Sequence, residues 1–234
     1  MSIAAAPSIM ERLKAETADL HAAAETHEFQ KNLVKGELAQ DAYARWLGQM
    51  FLIHRALERR LRDLSAKHAG AAALVRERHM QEPYLREDLA HFGADPDSIA
   101  PLDATRRLIE RIERAWMTDP VALLGFHYVL EGSNNGNKFI AKALHRALGL
   151  QPGPGLRYLD PYGDDQRAVW SQFREDMNAI DFDARERDAV VEAAKDLFRA
   201  IGELSSDLVA ACAPSGAAAC AQPPRPRCPH AAGR

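Results

Sequence analysis

The sequence predicts an all-α fold. Apolar side chains recur at helical intervals along most of the chain, as Tyr43, Trp46, Leu47 and Met50 do. Clusters of helix-breaking residues, such as GADPDS and QPGPG, separate these segments. No alternation of apolar and polar residues is long enough to predict a strand.

Seven segments carry the helical pattern. The first, 11–28, is rich in Ala, Leu, Lys and Glu, and the second, 41–67, is long and regularly apolar. In the third, 74–92, Pro83 should end or kink the helix, because proline lacks the N–H that a helix interior needs. The remaining helices are predicted at 101–117, 120–148, 166–178 and 185–211.

Composition places the chain among ordinary globular proteins. Of 234 residues, 47% are apolar and 27% charged, and a formal net charge of -3 gives no electrostatic case for binding nucleic acid. No apolar run reaches the roughly 18 residues of a membrane span, and the N-terminus lacks the form of a secretory signal. The cysteines, Cys212, Cys220 and Cys228, lie near the C-terminus, which suits a reducing cytoplasm. We expect an extension at 1–10, one domain at 11–212 and a disordered Pro/Ala-rich tail at 213–234.

The helix predicted at 120–148 contains residues that weaken helices, in the stretch EGSNNGN. Glycine in a helix interior costs about 1 kcal/mol relative to alanine, and Ser and Asn compete for backbone hydrogen bonds. Gly125, Gly132 and Gly136 stand at positions i, i+7 and i+11, so they fall within an arc of roughly 40° on one helix face. A face without side chains suits either close contact with another helix or a flat ligand lying against the backbone. Spacing alone leaves both alternatives open.

The first helix carries Lys14, His21 and Glu25 on one face, because their spacings are close to whole helical turns. A carboxylate one turn from an imidazole can accept its Nδ1–H, which leaves Nε2 free to bind a metal. A single histidine on a helix is more often a surface or core residue. The stripe therefore favours a metal-binding role only modestly.

Several stretches of the sequence resemble the heme oxygenase family. LKAETADLHAAAETHEF resembles the family's proximal helix, and YVLEGSNNG resembles the distal helix of bacterial members. WSQFREDMNAI and EAAKDLF match later helices in order and spacing. The resemblance runs from about Glu11 to Leu208. It implies a multi-helical bundle that holds heme between the N-terminal proximal helix and the glycine-rich distal helix.

The resemblance also implies roles for particular residues. His21 would be the axial ligand of the heme iron and Glu25 its partner, while Lys14 and Arg174 would pair with the heme propionates. Phe198 matches a pocket aromatic. The distal catalytic residues implied are Gly132, Ser133, Asn134 and Gly136, where a bare backbone leaves room for the macrocycle and for O2.

The activity implied is the oxidative cleavage of heme to biliverdin, with release of carbon monoxide and iron. Heme b is then both cofactor and substrate. The reaction requires O2 and electrons from an external donor, either a ferredoxin or a flavin reductase. The protein implied is a cytoplasmic enzyme with no nucleic-acid partner and no membrane span.

Some positions depart from the family pattern. Mammalian members carry an Asp just after the first distal glycine, where this sequence has Ser133 and Asn134, so one of these is expected to anchor the distal waters. This chain has Phe126 where the family has a tyrosine that helps to bind a propionate. Near Ile201-Gly202 an asparagine of the family is also replaced. These changes bear on the position of heme cleavage more than on heme binding.

Two other functions remain open. The same fold hosts di-iron oxidases, and the pairs His54/Glu58 and His127/Glu131 have the helical spacing of such ligands, although pairs at this spacing are usually solvated helix faces. A non-catalytic heme carrier or sensor is the other alternative. The remaining histidines are predicted at the surface: His27, His68, His79, His91 and His145.

The tail contains Cys228-Pro229, which resembles the Cys-Pro motifs through which some proteins sense heme. Arg225 and Arg227 would favour the thiolate, and His230 could serve as a second ligand. The alternative is a flexible linker with an incidental cysteine.

Overall fold

The structure is a computed structural model that describes residues 7–212 of the 234-residue chain. These residues form α-helices and short 3-10 helices without any strand, so the all-α prediction is confirmed. The helices are α1 (Ile9–Thr26), α2 (Glu28–Lys35), α3 (Gln40–Ser65), α4 (Ala69–Leu74), α5 (Glu82–His91), α6 (Asp103–Thr118), α7 (Leu123–Leu148), α8 (Gln166–Ala179) and α9 (Ala184–Cys212). The 3-10 helices lie at Glu77–His79, Pro96–Ser98, Pro120–Ala122 and Gly163–Asp165.

Parts of the sequence-based division lie outside the described residues. These parts are residues 1–6 of the predicted extension and the predicted tail at 213–234 with its Cys228-Pro229 motif. None of the helices in residues 7–212 is long and apolar enough to cross a membrane.

A capping box starts α1 two residues before the predicted position. Ser8 Oγ accepts the N–H of Glu11 at 3.3 Å, and Glu11 Oε2 accepts the N–H of Ser8 at 2.8 Å. The two bonds satisfy donors that a helix start otherwise leaves unpaired. The helix predicted to reach residue 28 ends at Thr26 instead, because His27 has an extended backbone. Its ring Nδ1 accepts the N–H of Phe29 at 3.2 Å and caps α2, a helix that the sequence pattern did not predict.

The segment predicted as one helix at 74–92 contains the end of α4, a 3-10 helix at Glu77–His79 and all of α5. Pro83 lies in the first turn of α5, where a residue without an N–H removes no hydrogen bond. The proline therefore marks the beginning of a helix, and the prediction that it ends or kinks one was wrong.

Helix α7 runs without interruption through the polar stretch at 132–137. The glycine stripe on it has more than one cause. A Cβ added at Gly125 would lie 2.0 Å from the carbonyl oxygen of Val190, so at this position the glycine lets α7 and α9 approach closely. Close helix contact is thus the correct explanation for Gly125.

The bundle is organised around α3 and α9. The core side of α3 buries Tyr43, Leu47, Phe51 and Leu57, and α3 packs against α5, α6 and α7. Helix α9 packs against α1, α6 and α7, while α8 contacts both α1 and α7. As a result α1, α7, α8 and α9 surround one space, whereas α3 and α7 enclose another.

Asp88 anchors the connection between α7 and α8, residues 149–165, by hydrogen bonds to the backbone of that connection. The fully buried Asp88 carboxylate accepts the N–H groups of Gly155 at 2.7 Å, Arg157 at 2.9 Å and Tyr158 at 2.9 Å. Burial raises the pKa of Asp88 to about 6, and the three N–H donors oppose that rise. This anchoring turns Tyr158 and Tyr162 towards the interior side of α7, where both hydroxyls are hydrogen-bonded.

Candidate functional site

An open cleft of about 720 Å³ lies among α1, α7, α8 and α9. Its volume falls in the range of small-molecule sites, roughly 300–1,000 Å³, and its surface is mostly apolar. The side chains around it include Lys14, Thr17, His21, Tyr128, Trp170, Arg174, Asn178 and Phe198. Four residues singled out in the sequence therefore share one cleft, although they come from three helices.

His21 projects from α1 into the cleft, and 58% of its side chain is exposed. Its Nδ1 lies 3.7 Å from Glu25 Oε1, and its ring packs edge-on against Phe198 with centroids 5.5 Å apart. No residue within 7–212 forms a hydrogen bond to either ring nitrogen. An imidazole with a carboxylate on one side and a free nitrogen on the other has the chemistry of a metal ligand.

Two cations stand at the same cleft without an anionic partner. Lys14 on α1 and Arg174 on α8 are exposed and line it, and neither forms an ion pair with any residue of the described chain. Most other arginines of the domain are paired, as Arg12 is with Glu16 and Asp188. Unpaired cations beside an apolar cleft favour a ligand that carries its own negative charges.

Neither Gly132 nor Gly136 lines the cleft. A Cβ added at Gly132 would stand 3.3 Å from Cη2 of Trp170, a ring that does line the cleft, whereas a Cβ at Gly136 would meet nothing within 4 Å. Trp170 in turn stacks on Phe173, with centroids 5.4 Å apart and planes 11° from parallel. The bare backbone at Gly132 is therefore covered by an aromatic ring, and the backbone at Gly136 is open.

Ser133 and Asn134 point to different surroundings. The exposed Ser133 donates its hydroxyl hydrogen to the carbonyl of Leu130 at 2.7 Å. Asn134 is buried, and its Nδ2 lies 3.4 Å from Glu131 Oε2, away from the cleft lining. The catalytic roles expected of Gly132, Ser133, Asn134 and Gly136 stay predictions.

Tyr128 and Trp170 are cleft residues that the sequence reading missed. Helical spacing could have found both, since Tyr128 precedes Gly132 by four residues on α7 and Trp170 precedes Arg174 by four residues on α8. Phe126, taken as the counterpart of a propionate-binding tyrosine, is a core residue with 2% exposure. The tyrosine at this cleft is Tyr128, and burial raises the pKa of its hydroxyl.

A second, much smaller space lies at another face of α7. We call it the chamber; its polar lining consists of His54, Glu58, His79, Gln81, His127 and Glu131. The expectation that the two His/Glu pairs are solvated was wrong, because all four side chains are at most 4% exposed. His79 was also wrongly expected at the surface: it is 2% exposed and packs against His127 and Phe173. The cause is that α3 and α7 turn these faces towards each other inside the bundle.

Glu58 is held by three donors. Its Oε1 accepts the backbone N–H of Gln81 at 2.6 Å and of Glu82 at 3.0 Å, and it lies 3.0 Å from His54 Nδ1. His54 Nε2 lies 3.1 Å from the hydroxyl of Tyr158. This carboxylate therefore ties α3 to the start of α5.

The described residues contain no group of three or more His, Cys, Asp or Glu side chains placed to hold a metal ion. Glu58, moreover, is already held by three donors. The chamber therefore does not offer the converging ligands that a di-iron centre requires.

The fold and the cleft define a class: an all-α protein with a mostly apolar cleft that contains one imidazole and two cations without an ion-pair partner among the described residues. A family model, heme oxygenase, matches residues 8–207, which is most of the chain. This protein belongs to the heme oxygenase family, as its sequence motifs predicted.

Similar proteins include mammalian and bacterial heme oxygenases. Heme oxygenase 1 of Bos taurus is 27% identical over 196 residues, which cover 81% of this chain and 68% of the relative. Heme oxygenase 2 of Rattus norvegicus is 25% identical over 206 residues, covering 86% and 65%.

Solved structures agree with the fold. A heme oxygenase from Leptospira interrogans superposes with a TM-score of 0.79 at 24% identity, covering 86% of this chain and 99% of the other. A heme oxygenase from Synechocystis, solved with heme and NO, gives a TM-score of 0.81 at 22% identity, covering 86% and 85%.

Proposed function

We propose that this protein binds heme b in the cleft and cleaves it to biliverdin, with release of iron and carbon monoxide. The observation that carries the proposal is the set of groups in one apolar cleft: an accessible imidazole at His21 and unpaired cations at Lys14 and Arg174. Heme has the matching features, an iron that accepts an axial nitrogen, an apolar plane and two propionates. O2 and an external electron donor, a ferredoxin or a flavin reductase, are further requirements of this activity. A cytoplasmic location stays a prediction.

The residues of the cleft fit heme in type as well as in number. Tyr128, Trp170 and Phe198 offer aromatic surface to a flat apolar ring. Lys14 and Arg174 approach from α1 and α8, so two separate carboxylates can each meet one cation. His21 would offer Nε2 to the iron, and Glu25, whose Oε1 lies 3.7 Å from Nδ1, would favour the tautomer that leaves Nε2 free.

In the proposed reaction the bound heme supplies the iron that activates O2, and its own ring is oxidised. The protein holds the ring in place. His21 would hold the iron, Lys14 and Arg174 would set the rotation of the ring through the propionates, and Trp170 would pack against the ring. Because the rotation decides which ring carbon faces the distal backbone, the two cations would determine the isomer of the product.

A heme carrier would use the same cleft, so catalysis needs its own test. Hemin added to the full chain should give the absorption spectrum of histidine-ligated heme, and reductant in air should then convert it to a bilin identified by mass and absorption. A stable heme spectrum without bilin would identify a carrier. Failure to bind hemin would overturn the proposal.

A further inference from the structure

The chamber contains buried polar atoms without a hydrogen-bond partner among the residues of the described domain. They are His127 Nε2, Glu131 Oε1 and Gln81 Oε1. Both ring nitrogens of His79 also lack a partner at hydrogen-bonding geometry, although the backbone of Leu74 approaches the ring. All four side chains are at most 4% exposed and line the same space. Buried polar groups are almost always paired, so such a concentration points to a missing partner.

The size of the chamber indicates what that partner is. Its volume is about 10 Å³, close to the space that one water molecule needs, and its lining is polar enough to bind one. A water molecule offers two donors and two acceptors, which matches the number of unpaired side chains around it. A larger ligand does not fit.

We propose that the chamber is a buried proton-exchange site, in which one water molecule joins His79, His127 and Glu131 and Glu131 takes up and releases the proton. The proposal is independent of whether the cleft binds heme, because the chamber and the cleft have no lining residue in common.

The hydrogen bonds of Glu131 leave one oxygen for this role. Its Oε2 accepts from the Tyr162 hydroxyl at 2.9 Å and lies 3.4 Å from Asn134 Nδ2, while Oε1 faces the chamber unpaired. A proton on Oε1 would be donated to the water, and the water could donate to His127 Nε2. On ionisation the Oε1–H bond breaks, the proton passes to the water, and one proton leaves for bulk solvent. Tyr162 is half-buried whereas Asn134 is buried, so the exchange would run past Tyr162.

The surroundings shift the pKa values of Glu131 and His79 in opposite directions. Burial raises the pKa of Glu131 to about 7, and the bonds from Tyr162 and Asn134 and the charge of Arg78 oppose this rise. Burial, with Arg78 and Arg76, lowers the pKa of His79 to about 4, and Asp176 opposes this shift.

The other groups that face Glu131 belong to α3, α7 and the connection between α7 and α8. Burial lowers the pKa of His127 well below its usual value, with contributions from His79 and His54. Tyr158 and Tyr162 have pKa values raised by burial, so both hydroxyls stay protonated. Glu58 faces the chamber from α3 with its Oε1 held by N–H donors. Among the chamber groups whose pKa values are shifted, Glu131 is therefore the one shifted into the neutral range.

Infrared difference spectroscopy of the heme-free full chain tests the proposal. Between pH 5 and 9, a carbonyl band of a protonated carboxyl should disappear with a midpoint near 7, the value expected for Glu131, and the band should be absent from E131Q. D88N is the matched control, because it removes a buried carboxyl outside the chamber whose pKa is also raised, and it should leave this band in place. Circular dichroism of each variant checks folding.

Two further measurements separate proton exchange from a merely buried acid. Y162F removes a bond that favours the ionised carboxylate, so it should move the midpoint to higher pH; it also carries the test if E131Q fails to fold. In D2O the band should shift within minutes, because the acid proton exchanges. Absence of a Glu131-dependent band, a midpoint below pH 5, or a band that does not shift in D2O would each overturn the proposal.

Discussion

His21 and Arg174 reach one cleft from two helices that are far apart in the sequence, and each contributes a group without a partner among the described residues. The imidazole has a free nitrogen and the guanidinium has no carboxylate partner within residues 7–212. Single substitutions at such residues separate ligand binding from folding, because exposed side chains contribute little to the core.

Replacing His21 with alanine should remove the nitrogen-ligated heme spectrum and nearly all turnover, since no other imidazole lines the cleft. Added imidazole should restore part of the spectrum. H91A is the control, because His91 is an exposed histidine outside the cleft. A spectrum of H21A identical to that of the unaltered protein would contradict the axial assignment.

The double variant K14A/R174A should bind heme roughly tenfold more weakly. It removes two exposed ion pairs to the propionates, each of which contributes up to about 1 kcal/mol, and a tenfold change corresponds to about 1.4 kcal/mol. Its bilin should also contain a different mixture of isomers, since the propionate anchors set the rotation of the ring. Titration with hemin and chromatography of the product measure both effects. K142A, which removes an exposed lysine of α7 outside the cleft, should change neither. Unchanged affinity and product in the double variant would remove these cations from the site.

At the scale of elements, α7 is the wall between two different environments. One side carries Tyr128 and Gly132 beside the cleft, and the other carries His127 and Glu131 in the chamber. The residues on the two faces are neighbours in sequence, so a one-residue shift of the helix, which turns its faces by about 100°, would remove Tyr128 from the cleft and Glu131 from the chamber. Close contact with α9 at Gly125 opposes such a shift.

The glycines of α7 should respond differently to substitution. G125A should lower stability by about 1–3 kcal/mol, because the new Cβ would collide with the Val190 carbonyl and the core must shift. G136L should leave thermal stability unchanged or slightly higher, since no atom lies within 4 Å of the added Cβ and leucine favours helices. It should nevertheless weaken heme binding, if the distal backbone must approach the ring.

Thermal unfolding and hemin titration of both variants measure these effects. The opposite pattern, with G125A tolerated and G136L unfolded, would contradict the helix contacts described above. Full heme affinity and turnover in G136L would show that this glycine does not face the ligand.

At the scale of the whole molecule, stability should depend on pH through the buried groups. The folded-state pKa of Glu131, about 7, exceeds the ordinary value of 4.5, so the folded state keeps a proton that the unfolded chain loses. Stability should therefore fall as pH rises from about 4.5 to 7. His79 acts in the other direction: with a folded-state pKa of about 4 against 6.5, it reduces stability as pH falls from 6.5 to 4.

The substitution E131Q should abolish the fall in stability that Glu131 causes as pH rises from about 4.5 to 7. At pH 8 the variant should be more stable than the unaltered protein by up to about 3 kcal/mol, and near pH 4.5 the difference should vanish. Urea unfolding across this pH range measures it, with D88N as the control that changes stability mainly between pH 3.8 and 6. An E131Q variant less stable than the unaltered protein at pH 8 would show that the ionised carboxylate is needed in the chamber.

Much of the protein follows from local sequence features. Helical spacing of Tyr43, Trp46 and Leu47 identifies α3, and the motifs around His21 and Gly132 indicate the family, because periodicity and short-range spacing are properties of the chain itself. Local signals also predicted that Lys14, His21 and Glu25 share a helix face. The same signals misplaced the end of the first helix, since His27 stops α1 through a backbone conformation that no breaker residue announces.

The tertiary structure decided which helix faces meet. It thereby decided the surroundings of residues whose local sequence patterns are alike. His21/Glu25, His54/Glu58 and His127/Glu131 all have the same spacing, yet the first pair is exposed and the other two are buried. Gly125 and Gly136 lie on one stripe, yet one packs against a carbonyl and the other faces open space. Burial and the approach of distant backbone depend on packing between segments far apart in the chain. Spacing within a single helix therefore determines only which residues share a face. The packing of α7 against α3, α8 and α9 places one face at the cleft and another at the chamber.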